Sequence, residues 1–233
     1  TPLNPVLMAS FSENIDVNSL TDTNVTLENT TSGEQNIPVT YKLGVKPNVV
    51  EVRPVTPLTA NNQYYLWFGV DIKDTDGDNL ASNYATYFNT FEDSVSDNRA
   101  PMVSTMSPPT GEVNVGTLPF FSLRHDEQMN PLSFNQEGAI DVQFSETDSV
   151  VKYNYRAPLA PEAEHTETAP VMLDLAGNMS NSHSVTFTTA SGPDFVSPSV
   201  RDTAYTNNQQ GVALNPVFQW DFNEPIDPNS ATS

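Results

Sequence analysis

The chain has no cysteine and few basic residues among its 233 residues. Without cysteine, the sequence excludes a disulfide scaffold, thiol catalysis and zinc sites that use thiolate ligands. Nine Lys and Arg residues stand against 29 Asp and Glu residues, so the formal net charge is −20. This charge repels phosphate backbones and anionic lipid surfaces, and we expect no nucleic acid partner.

Long apolar runs are missing as well. No apolar stretch reaches the ~18 residues that a membrane-spanning helix needs, so we expect no membrane insertion. Residues 1–20 carry neither the basic nor the apolar region of a signal peptide. Together with the repeats described next, this start is expected for an internal segment of a longer chain.

Signatures of catalysis are also scarce. The three histidines, His125, His165 and His183, show no metal-ligand spacing, and we expect each on the surface or in a loop. No Gly-x-Ser-x-Gly elbow and no phosphate-binding glycine loop occurs. Trp67 and Trp220 lie on predicted strands, where we expect packing in a core or an interface rather than stacking on sugars. We therefore predict that the chain is not an enzyme.

Internal repeats dominate what is present. The segment Leu3–Val6 is identical to Leu214–Val217, and Glu13, which follows the first copy, recurs as Glu224. A weaker middle copy places Glu127 at the same position. Repetition of this kind means that one structural unit recurs along the chain.

The repeats divide the chain into three units. We predict a first unit at residues 1–98 that lacks its opening strand, and a complete middle unit at residues 99–196. A third unit at residues 197–233 is truncated after its first strands. The segments that join the units are short and polar and precede proline, which favours stiff linkers.

Within the units, β-branched and aromatic residues alternate with polar residues in short runs. The first unit contains four such runs, at Ile37–Val45, Val49–Val55, Gln63–Val70 and Tyr84–Phe91. No window shows convincing helical periodicity. Short strands separated by turn residues at this density are typical of a sandwich of about seven strands. The fold class is therefore predicted to be all-β.

The order of the repeated markers is specific. A Pro-x-Val opening is followed by Phe-Ser/Asn-Glu-x-Ile-Asp-x-Asn-Ser, Pro-Leu with an aromatic strand, Asp-x-x-Gly-Asp/Asn and Phe-x-Thr. This pattern resembles the bacterial Ig-like repeats of S-layer proteins, large adhesins and exported multidomain proteins. The resemblance implies tandem Ig-like antiparallel β-sandwiches arranged as an elongated rod, on the bacterial cell surface or outside the cell. In the middle unit His125-Asp126-Glu127 replaces Phe-Ser-Glu, and the strand at Glu164–Pro170 is unusually polar.

Acidic residues occupy two loops that lie at the same end of an Ig-type sandwich. We expect Glu13 to approach the turn Asp74–Asp78, and Glu127 to approach the turn Asp174–Asn178. This acidic end of each unit should face the tail of the unit before it.

The first acidic turn alternates oxygen ligands around a glycine, as calcium-binding loops do. The candidate calcium ligands are Asp74, Asp76, Asp78 and Glu13. The alternative is an ordinary turn whose carboxylates accept backbone N–H groups. The second turn has two apolar residues, so there we expect an ordinary turn, capped by Asp174 with Gly177 at positive φ.

The leading functional hypothesis is a non-catalytic structural or extender segment of a bacterial cell-surface or extracellular protein. Such a segment would form the stalk of an adhesin, or part of a surface layer or filament. Its partners would be neighbouring repeats and, through edge strands, other copies of the chain. The alternatives are a glycan- or protein-binding module and an accessory region of a large secreted hydrolase. Calcium near a junction would stiffen the segment.

Overall fold

The computed structural model describes residues 1–205 and 208–230. The chain folds almost entirely into antiparallel strands, which confirms the all-β prediction. The first unit contains β1 (Leu7–Ser10), β2 (Val25–Asn29), β3 (Val39–Leu43), β4 (Val49–Pro54), β5 (Gln63–Phe68) and β6 (Tyr84–Asn89). The middle unit contains β7 (Val103–Ser107), β8 (Phe121–His125), β9 (Ala139–Phe144), β10 (Val150–Tyr155), β11 (Glu164–Thr168) and β12 (Ser184–Thr188). The third unit contributes β13 (Val200–Thr203) and β14 (Trp220–Phe222).

Helical structure in the described residues is limited to two 3₁₀ helices, Val17–Ser19 and Pro131–Ser133. Each follows the repeated Glu motif, which comes directly after β1 in the first unit and after β8 in the middle unit. The side chains of Asp16 and Asn130 cap them by accepting the N–H groups of Asn18 and Leu132. Within the described residues, no helix is long and apolar enough to cross a membrane.

The first unit is a sandwich of two three-stranded sheets. One sheet has the order β1-β4-β3 and the other has the order β2-β5-β6. Burial alternates along β2 and β5, as expected for strands that place one face in a core. Both sheets contribute to one core, whose members include Val25, Leu27, Val50, Val52, Leu66 and Phe68. The four strands predicted for this unit are confirmed as β3, β4, β5 and β6.

The middle unit combines a four-stranded sheet, β7-β8-β10-β9, with the pair β11-β12. Residues 111–115 run beside β12 and exchange backbone hydrogen bonds with it. The polar strand β11 pairs with β12 along its full length. The core between the sheets is rich in aromatic side chains, including Phe121, Phe134, Tyr153 and Phe187.

One strand of the first unit has no counterpart among the described residues of the middle unit. In the first unit, residues 20–38 separate the 3₁₀ helix from β3 and include β2. In the middle unit only residues 134–138 separate the second 3₁₀ helix from β9, which is too short for a strand between two turns. Residues 99–196, expected as a complete sandwich, therefore lack the strand that would pair with β11.

The third unit is described only as the hairpin β13-β14. Its Trp220 is 56% exposed and stacks on Phe218. The expectation that Trp220 packs in a core or an interface is therefore wrong, because no second sheet covers the hairpin in the part of the chain that the structure describes. Residues 206, 207 and 231–233 of the predicted third unit lie outside the described residues.

The expectation of a surface or loop position is also wrong for His125. This side chain lies on β8 and is only 3% exposed, at the position that Phe11 occupies in the first unit. Its two ring nitrogens have no hydrogen-bond partner among residues 1–205 and 208–230. Burial lowers the pKa of His125 because it disfavours the charged imidazolium. His165 lies partly exposed on β11, and His183 lies in the loop before β12.

Candidate functional site

Both acidic turns close around the side chain of their first aspartate. Asp74 Oδ1 accepts the backbone N–H groups two and four residues further on, at 2.9 and 2.8 Å. Asp174 Oδ1 does the same at 2.7 and 2.9 Å. Gly77 and Gly177 have φ values of 95° and 85°, which glycine adopts without steric cost. The capped turn predicted at Asp174 is confirmed, and Asp74 forms the same turn.

Glu13 lies against the first acidic turn, as the Ig-type geometry predicted. Oxygen atoms of Glu13, Asp74 and Asp76 lie within 4.8 Å of one another. The pKa of Glu13 is raised because its carboxyl hydrogen-bonds to Asp74 and feels the negative charge of that residue. The pKa of Asp74 is lowered, chiefly by the hydrogen bond from the N–H group of Asp78. Glu13 is therefore the proton-binding member of the pair.

Adjacent carboxylates of this kind repel each other unless they share a proton or a cation. Calcium takes several oxygen ligands, most often from carboxylates, so the chemistry of the group suits it. Asp78 lies outside the carboxylate group found among the described residues, and its backbone N–H supports Asp74 instead. Calcium at Glu13, Asp74, Asp76 and Asp78 stays a prediction.

The middle unit repeats the arrangement with a third carboxylate from the linker. Oxygen atoms of Asp97, Glu127 and Asp174 lie within 4.8 Å of one another, and Asp174 is fully buried. Burial and the negative charge of Asp97 raise the pKa of Glu127 to about 7. Arg99 opposes this rise, with Nη2 3.1 Å from Glu127 Oε1. The predicted approach of Glu127 to the second turn is confirmed.

Sequence reasoning missed the linker aspartate. A signal was present, because Asp97 and Asp194 stand at the same distance before Pro101 and Pro198. Asp194 lies beside Glu224, whose pKa is raised by burial and by a hydrogen bond with Asp194. The glutamate after the repeated strand therefore meets a linker aspartate at both junctions.

The acidic end of the middle unit contacts the tail of the first unit, as predicted. Val6 N–H donates to Leu175 O at 2.7 Å, and Asn130 Nδ2 donates to Val6 O at 3.4 Å. Asn4 fastens the linker, because its Nδ2 donates to Asp97 O at 2.7 Å and its Oδ1 accepts the Asp97 N–H at 2.8 Å. Backbone groups of both units therefore take part in the junction.

Gly177 is packed tightly against the first unit. A Cβ atom at this position would lie 2.4 Å from Val6 Cγ2 and 2.6 Å from Arg53 Nη1. Arg53 is in turn held by buried Glu51, with 3.1 Å between Nη2 and Oε2. Gly77 has the same positive φ, but nothing lies within 4 Å of its Cβ position. The second acidic turn is thus a packing element of the junction, whereas the first is exposed.

The junction between the middle and third units repeats one backbone contact of the first junction. Leu3 N–H donates to Val95 O at 3.0 Å, and Thr117 N–H donates to Gly192 O at 3.1 Å. In each case the residue four positions before the repeated strand binds the linker that follows the same unit. The linkers are therefore held to the units that they leave.

The turn after β14 also touches the middle unit. Asn229 Nδ2 donates to Ser122 O at 3.1 Å. Lys152 Nζ lies 2.9 Å from Asp227 Oδ2. This turn is equivalent to the one that carries Asn130 at the first junction, so the same part of each unit contacts its predecessor.

The aromatic candidate Trp67 lies on the outer face of β5, where it is half-buried against Gly69. Tyr65 and Tyr87 lie on the same face with ring centroids 4.8 Å apart. Tyr87 is 60% exposed. Trp67 is thus neither in the core nor at a junction, and the expectation of packing there is wrong.

A comparison with protein families finds a match within the first unit. Residues 1–90 match the family model described as bacterial Ig-like domain. No curated protein matches the chain.

Solved structures give weaker likenesses. The S-layer protein rSbsC is 10% identical, with 86% of this chain and 41% of that chain covered and a TM-score of 0.35. Domains 1–6 of the surface layer protein SbsC are 11% identical, with 78% and 30% covered and a TM-score of 0.34. SGBP-B from a complex xyloglucan utilization locus in Bacteroides uniformis is 12% identical, with 82% and 49% covered and a TM-score of 0.20. The chain spans less than half the length of each of these structures. The similarity to the bacterial Ig-like domain family is therefore shown for residues 1–90.

Proposed function

We propose that the chain is a non-catalytic extender segment of a bacterial cell-surface or extracellular protein. Its task is to hold successive Ig-like units in a set orientation and so keep flanking regions at a distance. The observation that carries the proposal is the first junction, where Val6 binds Leu175 through the backbone and Gly177 has no free space around it. Domains move relative to each other where few contacts cross their boundary. Backbone bonds and tight packing limit that motion.

The charge of the chain supports the same role. A net charge of −20 keeps a protein soluble and disfavours unspecific clumping. The family match supports a structural repeat. The location at the surface, and the choice between adhesin stalk, surface layer and filament, are part of the proposal.

We also propose that calcium binds at Glu13, Asp74, Asp76 and Asp78. The support is the shared carboxylate group at the exposed acidic turn, which needs a proton or a cation to offset its charge. A cation at this end would stiffen contact with any unit packed against it, since the equivalent turn of the middle unit lies in a junction.

The extender proposal is tested by a distance measurement across the first junction. Because the chain has no cysteine, spin labels can be attached at Thr40→Cys and Glu146→Cys, two exposed positions in different units. We expect a narrow distance distribution by pulsed electron paramagnetic resonance. Gly177→Ala should broaden it, because the new methyl group collides with Val6 and Arg53.

Gly77→Ala is the matched control. Both substitutions place alanine at positive φ, at a similar backbone cost of about 1–2 kcal/mol. Only Gly177 faces the other unit, so the control should leave the distribution narrow. A broad distribution in the unsubstituted labelled chain would contradict the proposal. Equal effects of the two alanine variants would contradict it as well.

A further inference from the structure

The middle unit has an open sheet edge at β11. In the first unit the corresponding strand, β5, lies between β2 and β6. In the middle unit β12 replaces β6, and residues 111–115 cover the far side of β12. Within the described residues no strand covers the other side of β11. An interior strand of the fold has thereby become an edge.

The register shows which backbone groups face that edge. Ala169 N–H donates to His183 O at 2.8 Å, so the odd-numbered residues of β11 direct their backbone groups toward β12. In an antiparallel pair this direction alternates along the strand. The backbone groups of Glu164, Thr166 and Thr168 therefore point to the open edge, and all three residues are exposed.

Two tyrosines and Glu167 stand behind the open edge of β11. Tyr153 and Tyr155 stand on β10 at the positions of Val52 and Pro54 on β4. The hydroxyl groups of both tyrosines donate to Glu167 Oε1, at 2.8 and 2.7 Å. Larger side chains and their hydrogen bonds thus replace the aliphatic side chains that β2 contributes to the first unit.

These side chains restrict what the edge can accept. Glu167 takes the position of the buried Leu66. An added strand would therefore cover a carboxylate there rather than an apolar side chain. A strand like β2, with inward Val25 and Leu27, would place those aliphatic side chains against the Glu167 carboxylate and the two tyrosine hydroxyl groups. The edge instead suits a strand that offers its backbone and polar side chains. The strand β11 is itself such a strand, with the sequence Glu-His-Thr-Glu-Thr.

We propose that β11 pairs antiparallel with β11 of a second copy of the chain, centred on Thr166. In this register Thr166 faces its own counterpart, Glu164 faces Thr168, and His165 faces Glu167. No two carboxylates lie directly opposite each other, so the pairing avoids the like-charge contacts that destabilise sheets. The result is a two-fold symmetric dimer with one continuous sheet. This lateral association goes beyond the extender role and does not depend on it.

Sedimentation equilibrium of the whole chain at an ionic strength of about 0.15 M tests the proposal. The Debye length of about 8 Å then screens the distant charges of two chains of charge −20, but not two charges directly opposite each other. We expect a dimer for the unsubstituted chain. Thr166→Lys should weaken association at least tenfold, since two lysines would face each other across the axis. Thr186→Lys is the matched control, because Thr186 Oγ1 lies 3.0 Å from Thr166 Oγ1 but belongs to the covered strand β12.

Circular dichroism should show that both lysine variants keep the β-rich fold. Amide hydrogen exchange gives a second measurement, and in the dimer the N–H groups of Thr166 and Thr168 should become protected. A chain that stays monomeric at all concentrations would overturn the proposal. A dimer that survives Thr166→Lys, or that Thr186→Lys weakens equally, would also overturn it.

Discussion

At position 125 the middle unit carries a histidine where the other units carry Phe11 and Phe222. The ring is buried, its nitrogens lack hydrogen-bond partners in the described part of the chain, and its pKa is lowered. The unfolded chain therefore binds a proton more readily than the folded chain. Above the unfolded pKa of about 6.5 the imidazole is neutral in both states and does not change the free energy of unfolding. Stability falls as the pH drops below that value.

We predict that His125→Phe stabilises the middle unit by about 1–3 kcal/mol, because it removes an unsatisfied buried polar group. It should also reduce the loss of stability between pH 7 and pH 5. Urea unfolding at several pH values measures both effects.

His183→Gln serves as the control, since His183 lies partly exposed in a loop. It should leave the pH dependence unchanged. A His125→Phe chain that is less stable at every pH would show that the pocket does not accept the larger ring.

At the scale of elements, the two acidic turns show how one backbone shape serves two purposes. Both use an aspartate cap and a glycine at positive φ. In the first turn Thr75 and Asp76 are exposed, whereas in the second Ala176 is buried and Leu175 binds the first unit. The residues between cap and glycine therefore decide whether the turn faces solvent or a neighbour.

We predict that the chain binds calcium at the first turn and that Asp74→Asn weakens binding at least tenfold. Asparagine keeps an oxygen that can accept the N–H groups of Asp76 and Asp78, so the turn should survive while its charge is lost. Titration calorimetry with calcium chloride measures the affinity.

Asp174→Asn makes the same change in the second turn, and we expect calcium binding to persist. The absence of binding heat in the unsubstituted chain would rule out the proposed site. Equal affinity of Asp74→Asn would remove Asp74 from the ligand set.

The polar sequence of β11 is explained by the side chains that surround it. Its Glu167 stands where the first unit has Leu66, and it accepts hydrogen bonds from two tyrosines. The sequence shows that β11 is unusual, but the cause is that no strand in the described part of the chain lies on its other side. A pattern within one strand cannot reveal which strand would have paired with it.

At the scale of the whole molecule, the first junction carries a group that titrates near neutrality. Glu127 has a pKa of about 7 because it is buried beside Asp97 and Asp174. The pKa of Glu127 in the folded chain lies above its unfolded value of about 4.3. Below about pH 4.3 the carboxyl is protonated in both states, and its contribution to the stability of the folded chain is complete. This stabilising contribution of Glu127 is lost as the pH rises through about 7. This direction is opposite to that of His125.

We predict that the junction loosens as the pH rises from 5 to 8, because ionised Glu127 then faces two carboxylates with Arg99 as counter-charge. The spin-label distance between Thr40→Cys and Glu146→Cys should broaden over this range in buffer that contains a chelator. Glu127→Gln should abolish the change.

Glu13→Gln is the matched control, since Glu13 has the same position in the first unit but lies away from the junction. It should leave the pH dependence of the distance intact. A distribution that is equally narrow at pH 5 and pH 8 would contradict the assigned role of Glu127.

Local patterns in the sequence determined much of this protein. Alternation of apolar and polar residues predicted β3 to β6, and the repeated markers predicted the units and the meeting of Glu13 with the Asp74 turn. These features depend on side-chain periodicity and turn chemistry, which short segments encode by themselves.

The tertiary structure alone decided which residues share a site across distance. It buried His125, brought Asp97 to Glu127 and packed Gly177 against Val6. It also left β11 with β12 as its one neighbouring strand among the described residues. Each outcome depends on what lies opposite a residue in space. The sequence of a strand shows which of its faces is apolar. Other segments of the chain decide what covers that face and which strands lie beside it.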